Sequence, residues 1–416
     1  MSLASRGVFT TPISITSQFP FCGLPLRLDT YGGCAFSCFY CFARYRAEAT
    51  FGRDNIRPAD PETVRRIFRL AIDLERFPRG IVAQCLRRRM PIHFGGMSDG
   101  FQPAESKYRV TEGTLKILAR YHYPTVISTK GALIAETLYT DLLRAIGPVV
   151  VQFSFSTTRD DTARKVEPFA TAPSSLLRTM EVLSKRGIIV TCRWQPFIPG
   201  LSEGPQEFIS RAVSAGARHI ALEHLKVPVE RSHYLWQRLV EAVGKDLCQE
   251  YIRLGARKDG REYVLPAEEK LHTVLQAARV ARSMGVSFGS ADNEFQYLSD
   301  GACCCSGVDQ FPGFENWFKH QIGHALRKCR GKKITYESIA GEWTPRGPID
   351  RYVNPDSRLS ARLGREASVR DHVRAKWDSL TSPGSPGSFY GVKCLPTSTH
   401  GRRTYCWDLP SDVHER

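Results

Sequence analysis

The sequence predicts an α/β protein: a partial, mostly parallel (βα) barrel of TIM-like form carrying a small, loop-rich α appendage at its C-terminal end. Three observations predict it. Runs such as VVVQFSF, GIIVTCRWQPF and HIALEHL are short and almost continuously apolar, as parallel strands covered by helices must be. Longer amphipathic stretches separate these runs, so that strand and helix alternate over most of the first 300 residues. The composition is that of a globular chain, with 42% hydrophobic and 24% charged residues among 416.

Taken in order, the pattern predicts a strand at 26–31 and a helix at 61–75. A strand at 91–95, a helix at 111–122 and a strand at 125–129 follow. Then come a helix near 135–145, a strand at 149–155 and a helix at 174–185. A long strand at 188–197, a helix at 205–215, a strand at 218–222, a helix at 268–284 and a strand at 286–290 complete the series. Residues 1–20 read as an N-terminal arm, 21–300 as the core barrel and 301–416 as an appendage that packs on the barrel. The appendage opens with Cys303, Cys304 and Cys305 and a helix expected over 314–328, and is then rich in Gly, Pro, Ser and Arg. In such an architecture the functional groups belong at the C-terminal ends of the strands.

Charge and cysteine content narrow the function. The net charge of +16 permits an anionic partner such as nucleic acid or nucleotide, but the basic residues are spread along the chain. No run of about 18 apolar residues is present, so no membrane span is expected, and the N-terminal residues lack the apolar stretch of a secretory signal. A cytoplasmic protein is the expectation. In that setting 13 clustered cysteines read as metal or redox chemistry rather than a disulfide framework.

The most informative stretch is Tyr31-Gly-Gly-Cys34-Ala-Phe-Ser-Cys38-Phe-Tyr-Cys41-Phe-Ala-Arg44. Cysteines spaced CxxxCxxC directly after the first strand can aim three thiolates at one small cluster. Phe36, Phe39, Tyr40 and Phe42 would shield it from water. Three ligands leave one iron of a four-iron cubane open to chelate a small molecule. The competing reading, zinc, usually draws on paired CxxC or Cys/His sets, and no second pair lies nearby.

With these residues the sequence resembles the radical S-adenosylmethionine superfamily, whose hallmark is this cysteine spacing with an aromatic residue, here Tyr40, before the last cysteine. The likeness runs over roughly residues 20–300. It is nearest to the spore photoproduct lyase-like branch, whose loop ends in Tyr-Cys-x-Ala-Arg, matched by Tyr40 to Arg44. The resemblance implies a 4Fe-4S cluster on Cys34, Cys38 and Cys41. It implies S-adenosylmethionine bound to the open iron and cleaved reductively to methionine and a 5′-deoxyadenosyl radical. It further implies an external one-electron reductant such as a flavodoxin or ferredoxin.

The same resemblance assigns cofactor contacts at strand ends. Gly95 and Gly96, followed by Ser98 and Asp99, stand where the family has its glycine-rich motif. Gly100-Phe101 here replaces the branch's Pro-Tyr. Lys130 closes the third strand, near the expected methionine moiety. Ser154 and Ser156 alternate with phenylalanines, so both face the barrel, where each either contacts cofactor or bonds backbone. Glu167 lies in a segment like the branch's Arg-x-Glu-Pro, with one extra residue after Arg164. Spore photoproduct lyase carries a hydrogen-donating cysteine where this sequence has Gly96 and Met97, so the resemblance implies the radical chemistry without that best-known substrate.

The second cysteine group has two readings. Cys303, Cys304 and Cys305 are expected either to form a second metal site or hydrogen-atom relay at the barrel mouth, or to be small buried packing residues. His320 and His324, expected one helical turn apart, and Cys329 are further candidate ligands, as are Cys394 and Cys406 in the appendage. Substrate readings follow: nucleic acid or nucleotide first, and a peptide- or protein-modifying enzyme with an auxiliary cluster as the alternative. A cluster-bearing scaffold without catalysis is the third.

Overall fold

Apolar strands flanked by amphipathic helices bury best in layers, and the computed structural model shows that arrangement. It describes residues 8–45, 55–77, 80–231, 234–329, 333–350, 352, 366–380, 382, 384–396 and 402–407. The first seven residues of the expected N-terminal arm lie outside the described residues.

Eight strands make one sheet: β1 (Ile13–Ile15), β2 (Leu26–Leu28), β3 (Ile92–Phe94), β4 (Thr125–Thr129), β5 (Val149–Phe155), β6 (Ile189–Phe197), β7 (His219–His224) and β8 (Ser287–Ser290). Each pairs with the next in chain order. β1 runs antiparallel to β2, and every later pairing is parallel. Among the described residues no pairing joins β8 back to β1, so the barrel is partial. The crossovers are helices such as Pro61–Phe68, Val110–Arg120, Thr137–Ile146, Pro173–Lys185, Pro205–Ser214 and Ala267–Ser283. The first shows how they start. Asp60 caps it by accepting the Glu62 N–H at 3.0 Å, and Pro61 occupies the first helical position, where no N–H is missed.

The two-residue period of a strand divides each one between two environments. On β6, Val190, Cys192 and Trp194 enter the main core, where the Trp194 ring stacks on Phe208 at 4.1 Å. Arg193 and Gln195 take the opposite, concave side and are only partly buried. β2 and β3 divide the same way: Leu26, Leu28, Ile92 and Phe94 join the core, while Arg27 and His93 face the lumen. The bottom of the lumen is closed by an apolar plug. Val126 and Val150, near the starts of β4 and β5, pack with Leu24, Cys303, Cys304 and Trp317.

Strand Ile13–Ile15 falls within the expected N-terminal arm, and two expected elements come out differently. The strand expected over 26–31 is split, because the Asp29 carboxylate turns away to accept the Met97 and Ser98 N–H groups. Tyr31 and Gly32 then pair with Arg57 and Pro58. The helix expected over 314–328 covers only Ile322–Lys328. The preceding backbone is committed elsewhere: Phe318 N–H bonds to the Gly23 carbonyl and Ile322 N–H to that of Pro20. His320 therefore precedes the helix and its Nε2 meets the Tyr336 hydroxyl at 2.9 Å, so it forms no helical pair with His324. Beyond residue 300, Tyr336, Trp377, Phe389 and Tyr405 belong to the same continuous core as the barrel.

Candidate cofactor site at the strand ends

The cysteine loop leaves the C-terminal end of β2 and is held from two sides. Gln102 clamps it: its Oε1 accepts the Ala35 N–H at 2.7 Å and its Nε2 donates to the Gly33 carbonyl at 3.0 Å. The Phe39 N–H donates to the Val166 carbonyl at 2.9 Å, tying the loop to the helix Asp160–Val166. Gly33 has φ 107°, a conformation L side chains rarely adopt. Cys38 is buried, and Cys34 and Cys41 are partly accessible. Burial pushes the Cys34 thiol up to about 12, with the nearby Asp99 carboxylate adding to the effect. Burial likewise raises Cys38, against the Lys130 ammonium, which favours its thiolate.

Facing this loop is a polar network centred on Glu167. Its Oε1 accepts from the Tyr40 hydroxyl, from Lys130 Nζ at 3.1 Å and from Ser156 Oγ at 2.6 Å. Lys130 Nζ also donates to the Ser154 carbonyl at 2.8 Å and lies 5.8 Å from the centre of the Tyr40 ring. Tyr40, Lys130, Ser154, Ser156 and Glu167, scattered over 128 positions in the chain, thus meet in one cluster beside the cysteines. Ser154 joins through its backbone, not its hydroxyl.

The turn after β3 supplies the adjoining wall. Gly95 has φ +83°, and a Cβ there would come within 2.5 Å of the Ser128 carbonyl oxygen, so only glycine fits. Asp99 anchors the end of β4, accepting the Thr129 hydroxyl at 2.8 Å and the Lys130 N–H at 2.6 Å. Its carboxyl is nevertheless raised, because burial outweighs those donors. Asp99 is therefore an internal strut of this corner. Ser98 Oγ is buried with no hydrogen-bond partner.

Cys303, Cys304 and Cys305 lie elsewhere. Cys303 and Cys304 are in the plug at the N-terminal ends of the strands, with their sulfurs in mutual contact at 3.8 Å. The Cys305 carbonyl accepts from His219 Nε2 at 2.8 Å, at the start of β7. These cysteines stand at the floor of the barrel, not its mouth. The sequence motif missed a strand-order consequence: parallel strands put a C-terminal segment that crosses under them next to their first residues.

Gln102 carries no motif signal in the sequence, and its role emerges only from the fold, three residues before the buried Glu105. Glu105 accepts from Tyr31, Tyr139 (2.9 Å) and the Thr111 and Glu112 N–H groups (both 2.9 Å), bracing the same corner. Arg27, His93, Gln152 and Thr191, which line the lumen, carried no motif signal at all.

Among the described residues no group of three or more His, Cys, Asp or Glu is placed to hold a single metal ion. A cubane makes a different demand, because each cysteine binds a separate iron and the sulfurs stand further apart. Three cysteines on one clamped loop, within electrostatic reach of each other, suit that demand.

The fold is a known one. A point variant of spore photoproduct lyase aligns with a TM-score of 0.50 at 14% identity, covering 65% of this chain and 78% of that chain. That likeness establishes the mostly parallel α/β fold. No protein-family model matches the chain. An uncharacterized protein of Mycobacterium tuberculosis is 24% identical over 210 residues, and the chain spans 58% of the length of that relative. An uncharacterized protein of Methanocaldococcus jannaschii is 21% identical over 223 residues, covering 53% of this chain and 78% of that protein. Among the described residues no helix is long and apolar enough to cross a membrane.

Proposed function

We propose that the chain is a radical S-adenosylmethionine enzyme. The observation that carries this reading is the meeting of the CxxxCxxC loop with the Tyr40–Lys130–Ser156–Glu167 network at the C-terminal ends of the strands. Cys34, Cys38 and Cys41 would hold a 4Fe-4S cluster, and Gly95, Gly96, Ser98 and Asp99 would line the cofactor beside it. When bound, the cluster supplies the electron that cleaves S-adenosylmethionine reductively and yields a 5′-deoxyadenosyl radical.

The chain's own residues set the conditions for this chemistry. Gln102 fixes the loop backbone, so the thiol groups would be positioned before iron arrives. The missing side chain of Gly95 lets the Ser128 carbonyl approach closely, and that of Gly96 leaves room for Arg27, so the turn packs tightly beside the cofactor station. Lys130 offers a cation and Glu167 an anion, a pair matched to an amino acid's carboxylate and ammonium. Of the aromatics expected to shield the loop, Phe36 is buried and Phe39 and Tyr40 are half-buried, whereas Phe42 is 42% exposed and gives no such cover. An external one-electron donor is required. The overall charge and the branch resembled favour a nucleotide or nucleic acid substrate.

The deciding experiment is 5′-deoxyadenosine production by anaerobically reconstituted protein with dithionite, with and without added nucleic acid. Product that disappears in Cys38→Ala is the expected outcome. A Cys38→Ala protein that still makes 5′-deoxyadenosine would overturn the assignment.

A further inference from the structure

Below the cofactor station, the lumen holds a set of polar side chains that the reading above does not use. Arg27 on β2 and Arg193 on β6 both face it, and among the described residues neither is in an ion pair. Gly96 is what makes room for Arg27: a Cβ there would press on the Arg27 Cδ at 3.1 Å. Between the arginines stands His93, whose Nε2 meets Ser128 Oγ at 2.7 Å. Burial and the nearby Arg193 and Arg27 push its imidazole down to about 3, so it stays neutral.

Further observations point to a ligand site. Arg27 Nε, Gln152 Nε2 and Thr191 Oγ1 are buried atoms with no hydrogen-bond partner. Gln152 and Thr191 are opposed residues on β5 and β6, and Thr191 is two residues before Arg193. Arg193 does spend one N–H on the Gln195 side-chain oxygen. The one carboxylate beside Arg27, Asp29, is occupied by the Met97 and Ser98 N–H groups. Buried donors without acceptors cost about 1–3 kcal/mol each, and more when charged. The lumen thus holds two guanidiniums that form no ion pair among the described residues, together with buried polar atoms of Arg27, Gln152 and Thr191 that lack partners.

We infer that this pocket binds the anionic group, a phosphate or carboxylate, of the substrate. Two guanidiniums with a carboxamide and a hydroxyl match the several acceptor oxygens of such a group. The pocket is deeper than the cofactor station. His93, Ser128 and Gln152 each precede a station residue (Gly95, Lys130, Ser154) by two positions on the same strand, about 7 Å nearer the floor. This inference rests on the cofactor reading, because that reading assigns the upper station and leaves the lower one to substrate.

The test uses the full chain, as purified and after cluster reconstitution, titrated with inorganic phosphate by calorimetry. Saturable binding of one phosphate per chain is expected, weakened about tenfold or more in Arg27→Gln and in Arg193→Gln. Arg193→Lys should recover part of the loss, and Thr191→Val, nearly equal in volume, should weaken binding about threefold. The exposed Arg164→Gln should leave the affinity unchanged. Unchanged melting temperatures identify variants that remain folded, and Thr191→Val carries the test if an arginine variant does not. Absence of saturable binding, or equal weakening by Arg164→Gln, overturns the inference. So does displacement of phosphate by S-adenosylmethionine in the reconstituted protein, which would give the pocket to the cofactor's carboxylate. Phosphate binding needs no cluster, so its failure is separable from a failure of the Cys38→Ala experiment.

Discussion

Two groups of three cysteines occupy opposite ends of the same barrel, and their surroundings differ in kind. Cys34, Cys38 and Cys41 sit on a loop whose backbone is gripped by Gln102, beside Asp99, Lys130 and Glu167. Cys303 and Cys304 sit among Leu24, Val126, Val150, Val308 and Trp317. The mouth offers charge, hydrogen-bond donors and access. The floor offers dispersion contacts, exclusion of water and a knot of sulfur hydrogen bonds, with Cys304 Sγ 3.0 Å from Ser306 Oγ. The residue type is the same, and the chemistry available to it is decided by the end of the strands to which it is attached.

Substitution is the direct way to break this contrast. Cys38→Ala should abolish both iron retention and S-adenosylmethionine cleavage. Cys304→Ala should keep both, and cost about 1–2 kcal/mol of stability from a small buried void. Iron analysis and chemical denaturation of the two variants check the pair. Loss of iron in Cys304→Ala would erase the distinction between mouth and floor.

Gln102→Leu probes the clamp alone. It removes both partners of the Gly33 carbonyl and the Ala35 N–H while leaving every cysteine in place. At about 1–3 kcal/mol for each buried group left unsatisfied, the loop should loosen. Cluster loss to a chelator, followed by absorbance, is expected to speed up at least about tenfold, since about 1.4 kcal/mol corresponds to that factor. An unchanged rate would mean that the loop is held by the cluster rather than by the protein.

The smallest expected effect sharpens the contrast from the appendage side. His372 is fully buried, both its ring nitrogens lack partners, and burial together with Lys376 pushes its imidazole down to about 4. The unfolded chain takes up a proton there near pH 6.5 while the folded chain does not until about 4. Stability therefore falls as pH drops through that window, by at most about 1.4 kcal/mol per pH unit for this one group. His372→Leu should flatten the dependence, measured on cluster-free protein as the urea midpoint at pH 7.5 and 5.5. An unaltered slope would place the acid sensitivity in other buried histidines.

Much of the fold was legible because local pattern and burial agree. The strands 125–129 and 149–155 coincide with their apolar runs, since a strand covered on both sides has no polar register to disguise it. The edge strand Ile13–Ile15 was missed, because three residues carry too little periodicity to be seen. The helix expected over 314–328 was overextended: its apolar spacing was real, but tertiary hydrogen bonds to Gly23 and Pro20 claimed the backbone first. In the site, the cysteine spacing, the glycines and Lys130 could be read, being fixed by neighbours in the chain.

By itself, then, the sequence determined the alternating α/β plan, the cysteine loop after the first inner strand, and the candidates at successive strand ends. Each depends on contacts within a few residues, or on a periodicity that any single strand displays. Only the tertiary structure decided which face of β6 looks inward, so that Arg193 and Gln195 line the lumen while Cys192 and Trp194 are core. It alone brought Tyr40 to Glu167 and put Cys303–Cys305 at the floor. Those outcomes depend on which strands become neighbours and on which side of the sheet the helices cover, and neither is written into any local stretch of chain.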